Sequence, residues 1–423
     1  LALRADNNGE GGIFALYALV RRYNYKPVIY PAIIGCAMLI ADGFITPPIT
    51  ISSAVEGMTL LVPGLKTMPI VLVMLLVLFA FQQIGTELVG KTFGPIMVVW
   101  LVMISVLGLN QIIQYPEILR ALNPYYAYQL LVHYPGGFWL LGAVFLCTTG
   151  AEALYSDLGH CGKGNIRITW IVVFVCLLMN YAGQCAWLLH NHNQGTIPID
   201  QSIFYSIMPS WFLTTGIIIA TVASFIASQA LISGVFTLVN EAMKLHLWPR
   251  MKVEFPSTFK GQVYIPAMNW ILLAGCTLIV FLFQTSTNME AAYGMAIILN
   301  MLMTSLLLGF YYKVKMHNFT IPFVFLTFFV LLEGIFLIAN MDKFEHGGWF
   351  SFLIGIFGAL LVFVQYSAQK IRDQHTHFVK LNDYIPIINA LQKDEQIPKF
   401  STHLVYLAMA SDKRLIDSNI MYS

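Results

Sequence analysis

Asp42-Gly43-Phe44-Ile45-Thr46-Pro47-Pro48-Ile49-Thr50 lies inside an apolar stretch running from about residue 28 to residue 61, with no Lys or Arg in it. Such a stretch is long enough to cross a bilayer as one long or broken helix. Asp42 falls about 21 Å along a helix begun at Val28, near the bilayer middle. Thr46 and Thr50 follow at i+4 and i+8, on the same helical face. Pro47 and Pro48 carry no backbone N–H, which leaves the carbonyls of Gly43 and Phe44 without their helical donors. A carboxylate, two hydroxyls and two free carbonyls are the hard oxygen groups that alkali cations prefer. A proline kink around a protonated Asp42, bonded to a neighbour, is the competing reading.

Glu56, Glu152, Asp157 and Glu333 are further acids within or at the rim of apolar stretches. An ionised group in hydrocarbon costs several kcal/mol, so such residues normally face a protein cavity and carry function. Acids without basic partners imply a positive charge arriving from outside, as a cation or a proton. The composition agrees, with 58% hydrophobic and 10% charged residues, far from an ordinary soluble domain. A net charge of +2 without a basic cluster argues against nucleic-acid binding. The 6 cysteines show no CxxC or Cys/His spacing and read as small hydrophobes.

Spans are expected near 28–61, 68–84, 93–113, 138–158, 166–190, 211–243, 264–283, 289–311, 319–340 and 348–368, about ten crossings by length. Pro116–Val132 is shorter and reads as a surface helix. Alternate connections carry most of the basic residues, among them Arg21, Arg22, Lys91, Lys163, Lys244, Arg250, Lys313 and Lys370. The others carry only Lys66, Arg120 and Lys343. This bias puts the N-terminal segment and the tail in the cytoplasm of a multi-pass cell-membrane protein. The expected division is a cytoplasmic segment 1–27, a membrane domain 28–368 and a cytosolic portion 369–423. Within the last, Asn382–Gln392 reads as an amphipathic helix and His403–Met409 as a strand. Both ends of the chain read as truncated.

A second constellation runs from Thr148 to His160. Glu152 is at mid-span, Thr149, Glu152 and Tyr155 share a face, and Gly150 weakens the helix between them. That pattern suits a discontinuous transporter helix with oxygen ligands beside its break. Asp157 and His160 lie nearer the helix end; Asp157 reads as a vestibule charge, and solvation explains both as well. Glu56 reads as a vestibule charge gathering cations at the mouth, or as a solvated helix end. Tyr293, within Ala291–Ala296, reads as close helix packing or as a hydroxyl reaching a cavity. Ser224, Ser228, Gln229 and Ser233 read as polar packing contacts in preference to cavity lining. No Ser/His/Asp set or HExxH motif accompanies the acids, so no catalytic residue is assigned and no enzyme is expected. No cofactor is called for beyond the transported ions.

Several of these blocks resemble the Kup/HAK/KT potassium uptake family. Arg4–Tyr17 (RADNNGEGGIFALY) is similar to that family's cytoplasmic signature, and Asp42–Gly57 (DGFITPPITISSAVEG) to its third transmembrane helix. Glu152–Gly162, Ile226–Gly234, Gly261–Trp270, Ala291–Ala296 and Gly347–Trp349 match further blocks in order. The resemblance implies an all-α polytopic membrane protein with the inverted-repeat fold of amino acid/polyamine/cation transporters, followed by the start of a cytosolic α/β domain. It implies potassium uptake by secondary active transport as K+/H+ symport, with K+, H+ and the lipid bilayer as partners and homodimer formation partly through the C-terminal domain. Asp42, Thr46, Thr149 and Glu152 would hold K+, and Thr50 and Tyr293 would add oxygen ligands. A carrier for another monovalent cation or an amino acid is the alternative on the same fold. Family members carry two helices before the position of Arg4, the first with an acid and a Tyr at the ion site. A chain lacking its first two helices is therefore expected not to transport by itself.

Overall fold

The computed structural model describes residues 5–7, 11–23, 26–84, 87–150, 154–155, 158, 162–193, 202–255, 263–315, 320–375, 378–393 and 415–417. The chain divides into two units, Leu1–Val362 and Phe363–Ser423.

The first unit is helical. Its elements are α1 (Ile13–Arg21), α2 (Ile29–Glu56), α3 (Thr67–Phe81), α4 (Glu87–Gln114), α5 (Pro124–His133), α6 (Leu141–Leu146), α7 (Lys163–Asn193) and α8 (Ile203–Ser206). They continue with α9 (Ser210–Lys244), α10 (Pro266–Phe283), α11 (Ser286–Lys315), α12 (Thr320–Met341) and α13 (Trp349–His375), the last of which runs across the unit boundary. Among the described residues eight helices are long and apolar enough to cross a membrane. Their apolar side chains are not all inside: Val102, Val106 and Ile113 on α4, Ile168 and Ile171 on α7, and Val324, Phe328 and Leu331 on α12 are exposed. Helices apolar all round with bare apolar outer faces belong to a bilayer, and the protein is a multi-pass membrane protein.

The count differs from the ten expected spans in two places. The stretch at 68–84 is the 15-residue α3, prolonged by a 3-10 turn to Ile84. The stretch at 138–158 holds the six-residue α6, and beyond Gly150 only Leu154, Tyr155 and Leu158 are described, each helical. Pro116–Leu122 and α5 together occupy the expected surface segment and are largely exposed.

α2 forms the centre. Its most extensive interface is with α11, followed by α9, and α3 and α10 close the remaining sides. Ala32, Cys36, Ala41, Ile45, Ile51 and Val55 on α2 are fully enclosed. The N-terminal segment is wedged under this core: Phe14, Leu16 and Val20 of α1 are buried, and the Tyr155 hydroxyl donates to the Ala5 carbonyl. Gly11 is required there, because a Cβ would stand 2.1 Å from the Tyr155 carbonyl oxygen. The second unit holds β1 (Phe378–Lys380), α14 (Leu381–Lys393) and β2 (Leu415–Asp417), the strands antiparallel with Val379 opposite Ile416. α14 covers the amphipathic helix expected at Asn382–Gln392. The strand expected at His403–Met409 lies outside the described residues.

Candidate functional site

Asp42 is 5% exposed at the middle of α2, and the Thr46 hydroxyl donates to its Oδ1 at 2.5 Å. The i, i+4 spacing on one helix makes this bond available without any tertiary contact. The expected break at Pro47–Pro48 is not present: α2 runs unbroken through both prolines. Nor is the Gly43 carbonyl free for a cation, since the Cys276 thiol of α10 stands 3.8 Å from it as donor. A neighbouring helix thus replaces the hydrogen bond that proline removes, as membrane helices commonly allow. The close fit extends one residue further, where Phe44 lies against Gly275 so tightly that a Cβ there would be 2.2 Å from the ring.

A second polar group forms where α6 ends. Thr148 and Thr149 turn their hydroxyls back onto the carbonyls of Phe145 and Leu146. Gly150 then takes φ +104°, a conformation that side chains resist. Thr149 Oγ1 also lies 3.1 Å from the hydroxyl of Tyr293 on α11. Residues 144 positions apart in sequence are thereby joined. Tyr293 sits among buried Ala292, Gly294 and Met295. Glu152 and Asp157 lie outside the described residues.

Thr50 and Tyr293 line an open cavity of about 500 Å³, together with Ser53, Asn180, Tyr181 and Ser224. Trp100, Phe204 and Tyr205 supply apolar wall. Asn180 and Tyr181 on α7 are polar positions that the sequence reading passed over; the available signal was an amide near the middle of an otherwise apolar run. Tyr205 of α8 donates to the Ala54 carbonyl at 3.0 Å. Burial, and next the charge of Glu56, push its phenol above the ordinary value, so it stays a neutral donor.

Glu56 reaches from the end of α2 to the start of α11. Its two oxygens accept from the backbone N–H of Ser286, at 2.8 Å, and from the Ser286 hydroxyl. It caps the first turn of α11, where exposed N–H groups and the helix dipole favour a carboxylate. Ser228 and Gln229 make packing contacts as expected: Gln229 pairs reciprocally with Gln82, and Ser228 bonds the Ser224 carbonyl. Glu333 accepts from Ser305 at 2.6 Å. Among the described residues no group of three His, Cys, Asp or Glu could hold a metal ion. The described polar positions of the site are therefore a single carboxylate, hydroxyls and an amide.

The family described as “K+ potassium transporter integral membrane domain” matches residues 1–370. Along its full length the chain is 50% identical to the “Probable potassium transport system protein Kup” of Flavobacterium psychrophilum and 50% identical to the protein of that name in Cytophaga hutchinsonii. It is 45% identical to the “Probable potassium transport system protein Kup 1” of Lactobacillus johnsonii. It spans 65%, 65% and 64% of those relatives respectively. A match over most of the chain, in the motif order already noted, settles its affiliation: the chain belongs to the Kup/HAK/KT family of K+ transporters.

Proposed function

We propose that the protein carries out potassium uptake by secondary active transport, as K+/H+ symport. The observation that carries this reading is Asp42, a carboxylate 5% exposed at mid-helix and met by the Thr46 hydroxyl. A carboxylate in that position exchanges naturally between a proton and a cation, because each neutralises it in a low-dielectric setting. Glu152 is the second exchanging acid in this scheme. Thr149 and Tyr293, already in hydrogen-bond contact, supply neutral oxygens in the same scheme, and Thr50 lies one face-turn beyond Thr46 on α2. The names of the relatives support potassium as the cargo. The inverted-repeat architecture, the cytoplasmic placement of 1–27 and 369–423, and a homodimer belong to the same proposal.

Rubidium flux into vesicles holding the full-length protein tests it. Uptake should accelerate when an inward proton gradient is imposed, and Glu152→Gln should abolish the acceleration. Uptake indifferent to the gradient removes proton coupling, and unchanged gradient-driven uptake in Glu152→Gln removes that residue from the mechanism.

A further inference from the structure

The amide of Asn180 stands out among the groups lining the cavity. The residue is 6% exposed, near the centre of an apolar helix, and its Oδ1 has no hydrogen-bond partner among the described residues. A buried amide oxygen left without a donor is costly, so it is kept for a reason outside ordinary packing. It is also rigidly placed. One turn away α7 crosses α4 backbone to backbone, with the site of a Gly183 Cβ 2.3 Å from the Gly108 Cα. On the other side of that crossing, a Cβ on Gly108 would lie 2.8 Å from the Asn180 Cα. Only paired glycines permit such an approach.

The chemistry of the surrounding wall selects the guest. Ser224 gives its hydrogen to the Thr221 carbonyl at 2.8 Å, and Tyr181 gives its own to the Cys147 carbonyl at 3.4 Å. With the hydrogens committed elsewhere, both oxygens offer lone pairs to a guest. The carboxamide of Asn180 turns end for end with almost no change of shape, so its oxygen can face the cavity when a cation is present. Thr50 and Ser53 add hydroxyls from α2. No Lys, Arg, Asp or Glu is among the described lining residues. An acceptor-rich wall without fixed charge disfavours anions and gives no carboxylates for a divalent ion, but suits a monovalent cation keeping part of its water.

We infer that Asn180, Tyr181 and Ser224 form a neutral-oxygen subsite, a staging position for the transported monovalent cation in a cavity whose lining includes Thr50 and Tyr293 but not Asp42. This inference rests on the proposed transport function and adds residues and a second binding position to it.

The test uses rubidium uptake by the full-length protein at a fixed proton gradient. Asn180→Leu, of the same branched shape, should raise KM about tenfold, the change expected on losing one oxygen contact with a charged guest (about 1.4 kcal/mol). It should leave kcat within about twofold, because the exchanging carboxylates are untouched. Asn180→Asp, which keeps the oxygen, should restore or lower KM and alter the ranking of rubidium against caesium as competitors. A purely structural amide, or one that only holds water, would change neither KM nor ranking, and that result overturns the subsite. Should Asn180→Leu fail to reach the membrane, Tyr181→Phe decides: a raised KM upholds the subsite, an unchanged KM overturns it. Absence of rubidium uptake in the unaltered protein refutes the transport function itself, which keeps the two failures distinct.

Discussion

At the scale of single residues, the buried carboxylate of Asp42 is met by a hydroxyl from its own helix. Asp42 and Thr46 are four positions apart in an apolar run, and the i, i+4 rule alone brings them into contact. The fate of the Gly43 carbonyl was not legible, because its donor, Cys276, arrives from a helix 233 positions later. Asn180 was missed for a related reason: a lone amide in an apolar run has no local companion to mark it, and only the cavity reveals it. The Thr46 hydroxyl should be more than a spacer. Thr46→Val keeps the shape and removes the donor, so rubidium uptake should fall about tenfold, in line with losing one hydrogen bond to a charged group. Thr46→Ser should retain most of the activity, and equal uptake by the Val and Ser variants would show that the hydroxyl is not used.

At the scale of elements, helix existence was readable from length and hydropathy, whereas helix ends were set by contacts that sequence does not advertise. The stretch at 138–158 looks like one span by composition, yet α6 stops at Leu146 and Gly150 turns to φ +104°. The smallest residue of that segment permits the turn, and the two threonines before it turn their hydroxyls onto carbonyls of the last helical turn. The start of α11 is fixed in the opposite way, by a carboxylate from another helix. Glu56 binds both the N–H and the hydroxyl of Ser286 across 230 positions, tying the end of α2 to the beginning of α11. Loss of a charge-assisted cap of this kind costs about 2 kcal/mol. Glu56→Ala should therefore lower the thermal unfolding midpoint of the purified full-length protein in detergent, and Glu56→Gln, which can still accept, should lower it less. Equal midpoints for wild type and Glu56→Ala would mean that the cap contributes nothing and would return Glu56 to the role of a rim charge.

At the scale of the whole molecule, the Glu56–Ser286 contact also fixes relative direction within the first unit. It brings the C-terminal end of α2 and the N-terminal end of α11 together, so the connection holding Lys66 and the α10–α11 turn share one side. α3 and α4 each reverse direction, returning the chain to that side at Arg120, while α11 runs away from it to Lys313. Arg250, between α9 and α10, then belongs with Lys313. The uneven distribution of basic residues orients the set: the side with Arg250 and Lys313 should be cytoplasmic, and the side with Lys66 and Arg120 should face out. Single cysteines at these four exposed positions, in the full-length protein without the exposed Cys147 and Cys185, test the assignment in sealed right-side-out vesicles. A membrane-impermeant thiol reagent should label Lys66→Cys and Arg120→Cys directly, and Arg250→Cys and Lys313→Cys only after permeabilisation. The reverse pattern would invert the topology and place the end of α2 at the inner face. Labelling of Lys66→Cys and Lys313→Cys from one side would break the shared-side argument itself, because α11 would then not cross the membrane between Ser286 and Lys315.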